Sequence, residues 1–392
     1  MLALPLNERR ARLADQPRSL YDRLRPLIFA LDPERAHRVT LALLRAAGPR
    51  PGILGQISGA ARARARDAAR DDGARSREPV AASGPSDPFA RTIAGIHFPN
   101  PVGLAAGYDK DAVALGGLAA LGFGFLEIGT VTPRPQEGNP RPRVARLAAE
   151  RGLANALGFP NAGAAMVAQR IAATRADSGW RAVAVPIGVS IGKMRETRIE
   201  EAAADYVACL EIVSSVADFI VINVSSPNTP GLTRLQETSR IDALLDAVVQ
   251  ANRGVRNDAN APPPLFAKLS PDLEPALLDE LVDVAVARGL AGLVLTNTLP
   301  TERAGLLSQS RFGLSGAPIR ARSLAALERA RARAGSRLAL IGVGGIMSGA
   351  DAVERLRAGA DLVQLYTGLV YEGPALIGRV LAAIAATVAS AR

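Results

Sequence analysis

The chain has very few of the side chains that bind metals, form disulfides or stack on bases. Cys209 is the sole cysteine, and His37 and His97 are the sole histidines, among 392 residues. One cysteine excludes an intrachain disulfide framework and fits a reducing compartment. So few imidazoles and thiols argue against a His/Cys metal site, and no metal is expected. Aromatic residues make up 4% of the chain, and no basic–aromatic array is present, so base stacking is not expected either. No apolar run approaches the ~18 residues that suggest a membrane-spanning helix. Met1 to Leu6 is too short an apolar stretch, ahead of Glu8, Arg9 and Arg10, to read as a secretory signal.

Charge of one sign is in excess. The formal net charge is +10 and the pI about 10.6. Such a surface attracts phosphates. Here arginine and alanine replace lysine throughout, which is a general compositional bias. Nucleic acid is therefore not expected as a partner, and an anionic membrane surface is a secondary expectation. With 48% hydrophobic residues the chain can bury a large core. An α/β barrel of ~250 residues plus extensions fits its length.

Three regions differ in composition. Residues 1–50 read as two amphipathic helices. Leu20, Leu24, Leu27, Ile28 and Leu31 form one apolar stripe, flanked by Arg18, Arg23 and Arg25. Asp32 caps the second helix, with Pro33 in its first turn, and Ala36, Val39, Leu43 and Leu44 continue it. Residues 51–90 are rich in Ala, Arg, Asp, Gly, Ser and Pro, and are expected to be a flexible low-complexity insertion. Residues 91–392 repeat a single theme, a short apolar run ending in Gly or polar residues and then a helical stretch.

Eight such runs are present: Val102–Ala106, Phe125–Gly129, Val185–Ser190, Ile220–Val224, Leu265–Leu269, Leu293–Thr296, Leu338–Val343 and Leu362–Tyr366. Helices are expected at Ile199–Val216, Ile241–Asn252, Leu277–Arg288, Ala321–Ala334 and Ala350–Ala358. The fold class expected is α/β, a (β/α)8 TIM barrel with a small N-terminal helical extension. An open doubly wound sheet is the alternative. Polar residues after nearly every strand favour closure, because a barrel gathers all those ends at one face.

The segment Asn223-Val224-Ser225-Ser226-Pro227-Asn228-Thr229-Pro230-Gly231 is the densest of these ends. Burying that much polarity is costly unless a polar ligand docks there. Lys110 and Lys268 follow other strands. Asn155, Asn223, Asn228 and Asn297 suit a planar amide- or imide-rich ligand, because each amide both donates and accepts. Gly342-Val343-Gly344-Gly345 and the turn at Tyr366-Thr367-Gly368 follow the seventh and eighth runs, where barrels commonly hold phosphate.

From Thr92 onward the chain resembles the dihydroorotate dehydrogenase family. The matching motifs are Gly-Leu-Ala-Ala-Gly-x-Asp-Lys, Glu-Ile-Gly-Thr-Val-Thr-Pro-Arg-Pro, Asn-x-Ser-Ser-Pro-Asn-Thr-Pro-Gly-Leu, Thr-Asn-Thr and Ile-Gly-Val-Gly-Gly-Ile. Leu31 to His37 is similar to the extension of the membrane-associated, quinone-reducing class. That class uses a serine base and the soluble class a cysteine. Ser226 stands at the matching position. The resemblance implies FMN-dependent oxidation of (S)-dihydroorotate to orotate, with electrons passed to a membrane quinone. It also implies a place in pyrimidine biosynthesis and a monomer attached peripherally to the cytoplasmic side of the inner membrane.

The resemblance further implies residue roles. Ser226 is the base, and needs a shielded site and a partner such as Thr229 or water. Ala106, Gly107, Lys110, Thr130, Ser190, Asn223, Lys268 and Thr296 would contact the flavin, and Gly316, Gly345, Tyr366 and Thr367 its phosphate. Lys110, Asn155, Ala156, Leu157, Gly158, Phe159, Asn223, Asn228, Asn297 and Thr298 would hold the substrate. Two departures stand out. Ser190 replaces a flavin-contacting asparagine, so its contact would be shortened or water-mediated. Ala156-Leu157 replaces an Arg-Met pair, which leaves the backbone to serve. A non-redox phosphate-binding barrel is the rival reading, but it leaves the two lysines and the Ser-Ser-Pro-Asn loop without a task. A basic nucleic-acid-binding protein is the third.

Overall fold

The computed structural model describes residues 20–59, 89–256 and 261–391. Its centre is a closed parallel barrel of eight strands. In chain order these are β1 (Val102–Leu104), β2 (Phe125–Val131), β3 (Ile187–Ile191), β4 (Phe219–Asn223), β5 (Leu265–Leu269), β6 (Gly292–Leu295), β7 (Ala339–Val343) and β8 (Leu362–Leu365). Each strand pairs with the next, and β8 returns to β1 with Gln364 opposite Gly103. All eight runs expected from the sequence are therefore strands, and closure excludes the open-sheet alternative. The expected helices also form, with the Ile199 segment starting as a short 3-10 turn before Ala202–Val213.

The two ends of the barrel differ because its inward-facing residues change along each strand. Near the strand starts, Phe125, Phe219 and Phe266 pack edge to face, with ring centroids 6.2 and 5.6 Å apart. Phe98, from the hairpin Arg91–Ile93 and Ile96–Phe98, adds a fourth ring 5.4 Å from Phe125. This apolar plug fills the N-terminal end. Polar ligands are left with the C-terminal mouth, where the strand-end loops converge.

A second sheet, not anticipated from the sequence, lies at that mouth. Its antiparallel order is Leu299–Glu302, Arg311–Gly316, Gly152–Asn155 and Val144–Leu147. The strands come from segments following β2 and β6 that are only four to six residues long. Each half is a local hairpin, and the two hairpins are joined by a pairing of distant segments, Gly313 opposite Asn155. Local periodicity carries little of that signal.

The N-terminal extension docks beside this sheet. Helix α1 spans Leu20–Ala30 and α2 spans Pro33–Ala47. Asp32 caps α2 by accepting from the Arg35 N–H at 3.0 Å, an interaction typically worth ~1 kcal/mol. The structure corrects the expected start of the low-complexity insertion. Pro51–Ser58 is a third helix, α3, with Pro51 in its first turn and left-handed Gly59 at its end. Leu54 on α3 is buried, which gives the segment the apolar anchor its composition hides. The rest of the expected insertion, residues 60–88, lies outside the described residues, as do residues 1–19 with Arg18.

The extension meets the barrel by close backbone contact and by ion pairs. Gly117 sits where a Cβ would lie 2.1 Å from the Leu44 carbonyl oxygen, so any side chain there would push α2 away. Glu34 of α2 accepts from buried Arg143 at 3.1 and 3.0 Å. Arg146 donates to the Leu31 carbonyl at 2.8 Å, and the Tyr21 hydroxyl donates to the Val370 carbonyl at 2.6 Å. The opposite surface of the extension carries exposed Leu24, Leu27, Leu31, Val39, Leu43 and Ile57. The predicted apolar stripe of α1 thus faces outward over much of its length.

Candidate active site

The strand-end loops enclose one cavity. Nineteen of the twenty-one residues singled out from the sequence line it. After β1 come Ala106, Gly107 and Lys110; after β2, Thr130; after β4, Asn223, Ser226 and Asn228. Lys268 rises from β5, and Thr296, Asn297 and Thr298 follow β6. The second sheet and its flanking segments contribute Asn155, Leu157, Gly158, Phe159 and Gly316, and Gly345, Tyr366 and Thr367 complete the wall.

The amides form a connected set. Asn228 Nδ2 donates to Asn155 Oδ1 at 2.8 Å, and Asn155 Nδ2 donates to the Gly313 carbonyl at 3.3 Å. Asn297 Nδ2 donates to Ser225 Oγ at 3.0 Å and to Asn223 Oδ1 at 3.3 Å. Asn223 Nδ2 donates to Thr130 Oγ1 at 2.8 Å. These bonds fix which end of each amide is a donor. Asn228 Oδ1 is left buried without a partner, an acceptor held ready at the cavity.

Ser226 is 6% exposed, and its Oγ accepts from the Asn228 backbone N–H at 3.3 Å. That is a local turn bond, the type favoured by the Ser-Pro-Asn sequence. The partner expected from the sequence is different: Thr229 Oγ1 makes no hydrogen bond and does not reach Ser226. An N–H aimed at Oγ stabilises negative charge developing there.

Both lysines reach the cavity but differ in surroundings. Lys268 is buried and pairs with Glu127 at 3.3 Å. Lys110 is half-buried and donates to the Gly107 carbonyl at 2.7 Å. Burial, followed by the Asp111 charge acting in the opposite direction, brings its ammonium down to about 8. The Tyr366 hydroxyl donates to the same Gly107 carbonyl at 3.2 Å, and burial pushes that phenol up to about 12. Tyr366 is therefore neutral at physiological pH.

The turn after β7, at Gly344-Gly345, lines the cavity and packs closely on Arg320 behind it. Gly345 adopts φ +74°, and a Cβ there would lie 2.5 Å from Arg320 Cα. Arg355 is buried beneath this turn, and its Nη2 donates to the Gly344 and Arg320 carbonyls at 2.7 and 2.8 Å. Ser315 and Thr367 share a hydroxyl contact of 2.8 Å at the same side of the cavity.

Two residues expected at the site lie outside the cavity wall. Ser190 is fully buried behind Thr130, with the two hydroxyl oxygens 2.9 Å apart. Ala156 is fully buried among Ala154, Leu307 and Phe312. Strand alternation explains this, since Leu153 and Asn155 line the cavity and Ala154 and Ala156 face the other way. The backbone of Ala156 is also committed, donating to Arg143 at 2.8 Å and accepting from Asn139 at 3.0 Å. Sequence reasoning missed Glu127, Gln364, Ser315 and Arg355. The first two carried a signal, as polar residues within otherwise apolar strand runs.

A second cavity of about 410 Å³ lies between the helical extension and the barrel. It shares Lys110, Val144, Leu153, Leu157 and Tyr366 with the first. Its other walls include Ile28, Phe29, Leu41, Leu44 and His37. The His37 ring lies 2.7 Å, through Nε2, from the Tyr108 carbonyl. Burial, followed by the Lys110 charge, lowers its pKa to about 4, so the ring is neutral at physiological pH.

Comparison with known proteins bears on this geometry. The family model described as dihydroorotate dehydrogenase matches residues 89–388. The dihydroorotate dehydrogenase (quinone) of Myxococcus xanthus (strain DK1622) is 44% identical over 373 residues, covering 94% of each chain. That of Acidithiobacillus ferrooxidans is 44% identical over 367 residues, covering 92% of this chain and 93% of the relative. Among solved structures, the Eimeria tenella protein in complex with ferulenol superposes with a TM-score of 0.74 at 32% identity, covering 92% of each chain. Its ligand-free form superposes with a TM-score of 0.71 at 34% identity, covering 84% of this chain and 95% of that one.

Proposed function

The chain belongs to the dihydroorotate dehydrogenase family, and from that premise we infer that it oxidises (S)-dihydroorotate to orotate in pyrimidine biosynthesis. It is a quinone-linked flavoenzyme. The observation that carries the site reading is the convergence of four asparagine amides, Ser226 and two lysines on one enclosed cavity.

FMN is the flavin we assign to it, and the residues present fit that group. Gly344 and Gly345 line the cavity with backbone alone, which suits a phosphate. Gly316, Tyr366 and Thr367 extend the same cradle. Ala106, Gly107, Thr130, Asn223 and Thr296 line the deeper wall, where an isoalloxazine would lie, and Lys268 supplies the cation beside it. Ser190 acts from behind Thr130, by fixing its hydroxyl. When bound, FMN accepts the hydride that leaves C6 of dihydroorotate.

The chain's own residues do the rest. Ser226 Oγ takes the proton from C5 as its own hydroxyl proton passes to a water in the cavity, and the Asn228 N–H supports the charge that develops on Oγ. Asn155, Asn228, Asn297 and Thr298 bind the pyrimidine edges, and the unpartnered Asn228 Oδ1 takes a ring N–H. Lys110 pairs with the carboxylate. Leu157, Gly158 and Phe159 close the cavity against water, with Gln136 holding the Gly158 and Phe159 carbonyls at 3.1 Å each. Ala156 is left out of the substrate set, because its side chain faces away and both of its backbone groups bond within the protein.

Residues 91–392 form the FMN-binding barrel in this reading, and the N-terminal helices form the quinone-side module. The quinone head group enters the second cavity, whose shared walls bring it next to the flavin site. The enzyme sits peripherally on the cytoplasmic face of the inner membrane, with the exposed leucines of α1 and α2 toward lipid. No helix among the described residues is long and apolar enough to cross a membrane. The barrel closes within one chain, and a monomer is the state we assign. Anaerobic addition of dihydroorotate to the yellow holoenzyme should bleach its bound flavin. Protein purified without flavin, or flavin that dihydroorotate leaves oxidised, would reject this function.

A further inference from the structure

Glu127, Lys268 and Gln364 lie two residues along their strands from Phe125, Phe266 and Leu362, which belong to the apolar barrel interior. Glu127 has no exposed surface. Its Oε1 accepts from Lys268 Nζ at 3.3 Å, and its Oε2 accepts from Gln364 Nε2. Lys268 and Gln364 line the cavity, whereas Glu127 is not part of its wall. Gln364 Oε1 is buried and has no partner.

A carboxylate buried this completely is costly and is a poor device for stability alone, since an apolar side chain would fill the space more favourably. Both of its oxygens are spent on the two polar side chains that face the ligand. Whatever Glu127 does, it therefore does through them. Charge interactions are also strong in so dry an interior.

We propose that Glu127 is a positioning residue that sets the reduction potential of the bound flavin through Lys268 and Gln364. The proposal rests on the reading of the cavity as the flavin site. Lys268 favours the reduced form, which carries more negative charge than the oxidised form. Glu127 stands behind that ammonium and offsets part of its field. The cavity then meets a charge pair with its positive end forward, rather than a lone cation. The same carboxylate holds Lys268 Nζ and the Gln364 amide in one orientation, so the field does not vary with rotamer.

Glu127→Gln removes the negative charge and keeps the shape. The purified holoenzyme should then hold reduced flavin on the order of tenfold more tightly, relative to oxidised flavin, than the wild type does. For a two-electron couple, that is a rise of about 30 mV in midpoint potential. Glu127→Asp, which retains the charge, should stay nearer the wild type. A purely structural role would weaken both forms of flavin equally and leave the potential unmoved, and that result overturns the proposal. If Glu127→Gln does not fold, Glu127→Asp carries the test: its shorter side chain draws the carboxylate away from Lys268 Nζ, so the potential should rise by less than about 30 mV, and an unmoved potential overturns the proposal. Wild-type protein that carries no flavin would instead defeat the reading of the cavity. The two failures are thus distinguishable.

Discussion

Asn228 Nδ2 donates to Asn155 Oδ1 at 2.8 Å, although the two residues stand 73 positions apart. The bond ties the loop after β4 to the sheet over the barrel mouth. It also decides which end of Asn228 faces the ligand, because its donor is used and its acceptor is free. Asn155→Ala should release that orientation. A buried hydrogen-bonding group left unpaired costs about 1–3 kcal/mol, so orotate should bind on the order of 10- to 100-fold more weakly. Titration of the flavin spectrum with orotate would read the change. Unaltered affinity would place Asn155 outside the substrate set.

Ser226→Ala should leave flavin content and orotate affinity near normal and slow flavin reduction by dihydroorotate. Loss of a general base typically costs about 10²- to 10⁴-fold. Ser225→Ala should act differently. Ser225 Oγ accepts from Asn297 and lies 3.2 Å from Asn223 Oδ1, so its loss should disturb binding more than the chemical step. Rapid-mixing measurements separate the two. A Ser226→Ala enzyme reduced at the wild-type rate removes Ser226 from the role of base.

Much of this site is legible in the sequence because the barrel converts chain order into spatial order. Each strand end reaches the same mouth, so residues such as Lys110, Asn223, Lys268 and Asn297 can be collected strand by strand. Ala156 and Ser190 fail that rule for a local reason. They sit near site residues in the chain, but Ala156 points to the other face of its strand and Ser190 packs behind Thr130. The second sheet was hidden because its strands are short and its two hairpins are joined by a pairing between distant segments, Gly313 opposite Asn155. The helix Pro51–Ser58 was hidden by composition, since its neighbours in the chain are polar and small. Glu127 and Gln364 were overlooked as parts of apolar strands, where a buried polar residue is itself the signal.

Lys110 gives the site a defined response to pH. Burial lowers its pKa to about 8, so in the free enzyme the ammonium is present below about pH 8 and lost above it. Affinity for the orotate carboxylate should therefore hold on the acid side and fall as pH rises through 8, by at most tenfold per unit. The folding contribution runs the other way. The folded pKa lies below the unfolded value, so the neutral form is favoured in the native state, and stability from this group increases as pH climbs from about 8 toward 10.5. Lys110→Met should bind orotate weakly and without this pH dependence. A wild-type affinity that stays flat from pH 7 to 9.5 would remove Lys110 from the carboxylate contact.

The helical extension presents two apolar surfaces with different fates. One side is docked, through Ala36, Leu44 and Leu54 and the Glu34–Arg143 pair. The other leaves Leu27 at 69% and Leu43 at 66% exposure, an unusual cost for helices so near a cavity with apolar walls. Leucines in that position are accounted for if lipid covers them, and arginines on the same helices suit anionic headgroups. Leu24→Ser/Leu27→Ser/Leu43→Ser changes only the outer surface. The variant should fold normally and keep dihydroorotate-dependent bleaching of its flavin. Its binding to anionic phospholipid vesicles should weaken, and its turnover with a long-tailed quinone should fall while turnover with a short, water-soluble quinone holds. Deleting residues 1–50 should keep flavin bleaching but lower turnover with both long- and short-tailed quinones, because it also removes most of the wall that the extension lends to the second cavity. Equal kinetics with the two quinones in the leucine variant, together with unchanged quinone turnover in the deletion variant, would show that neither helix serves as the entrance from the membrane.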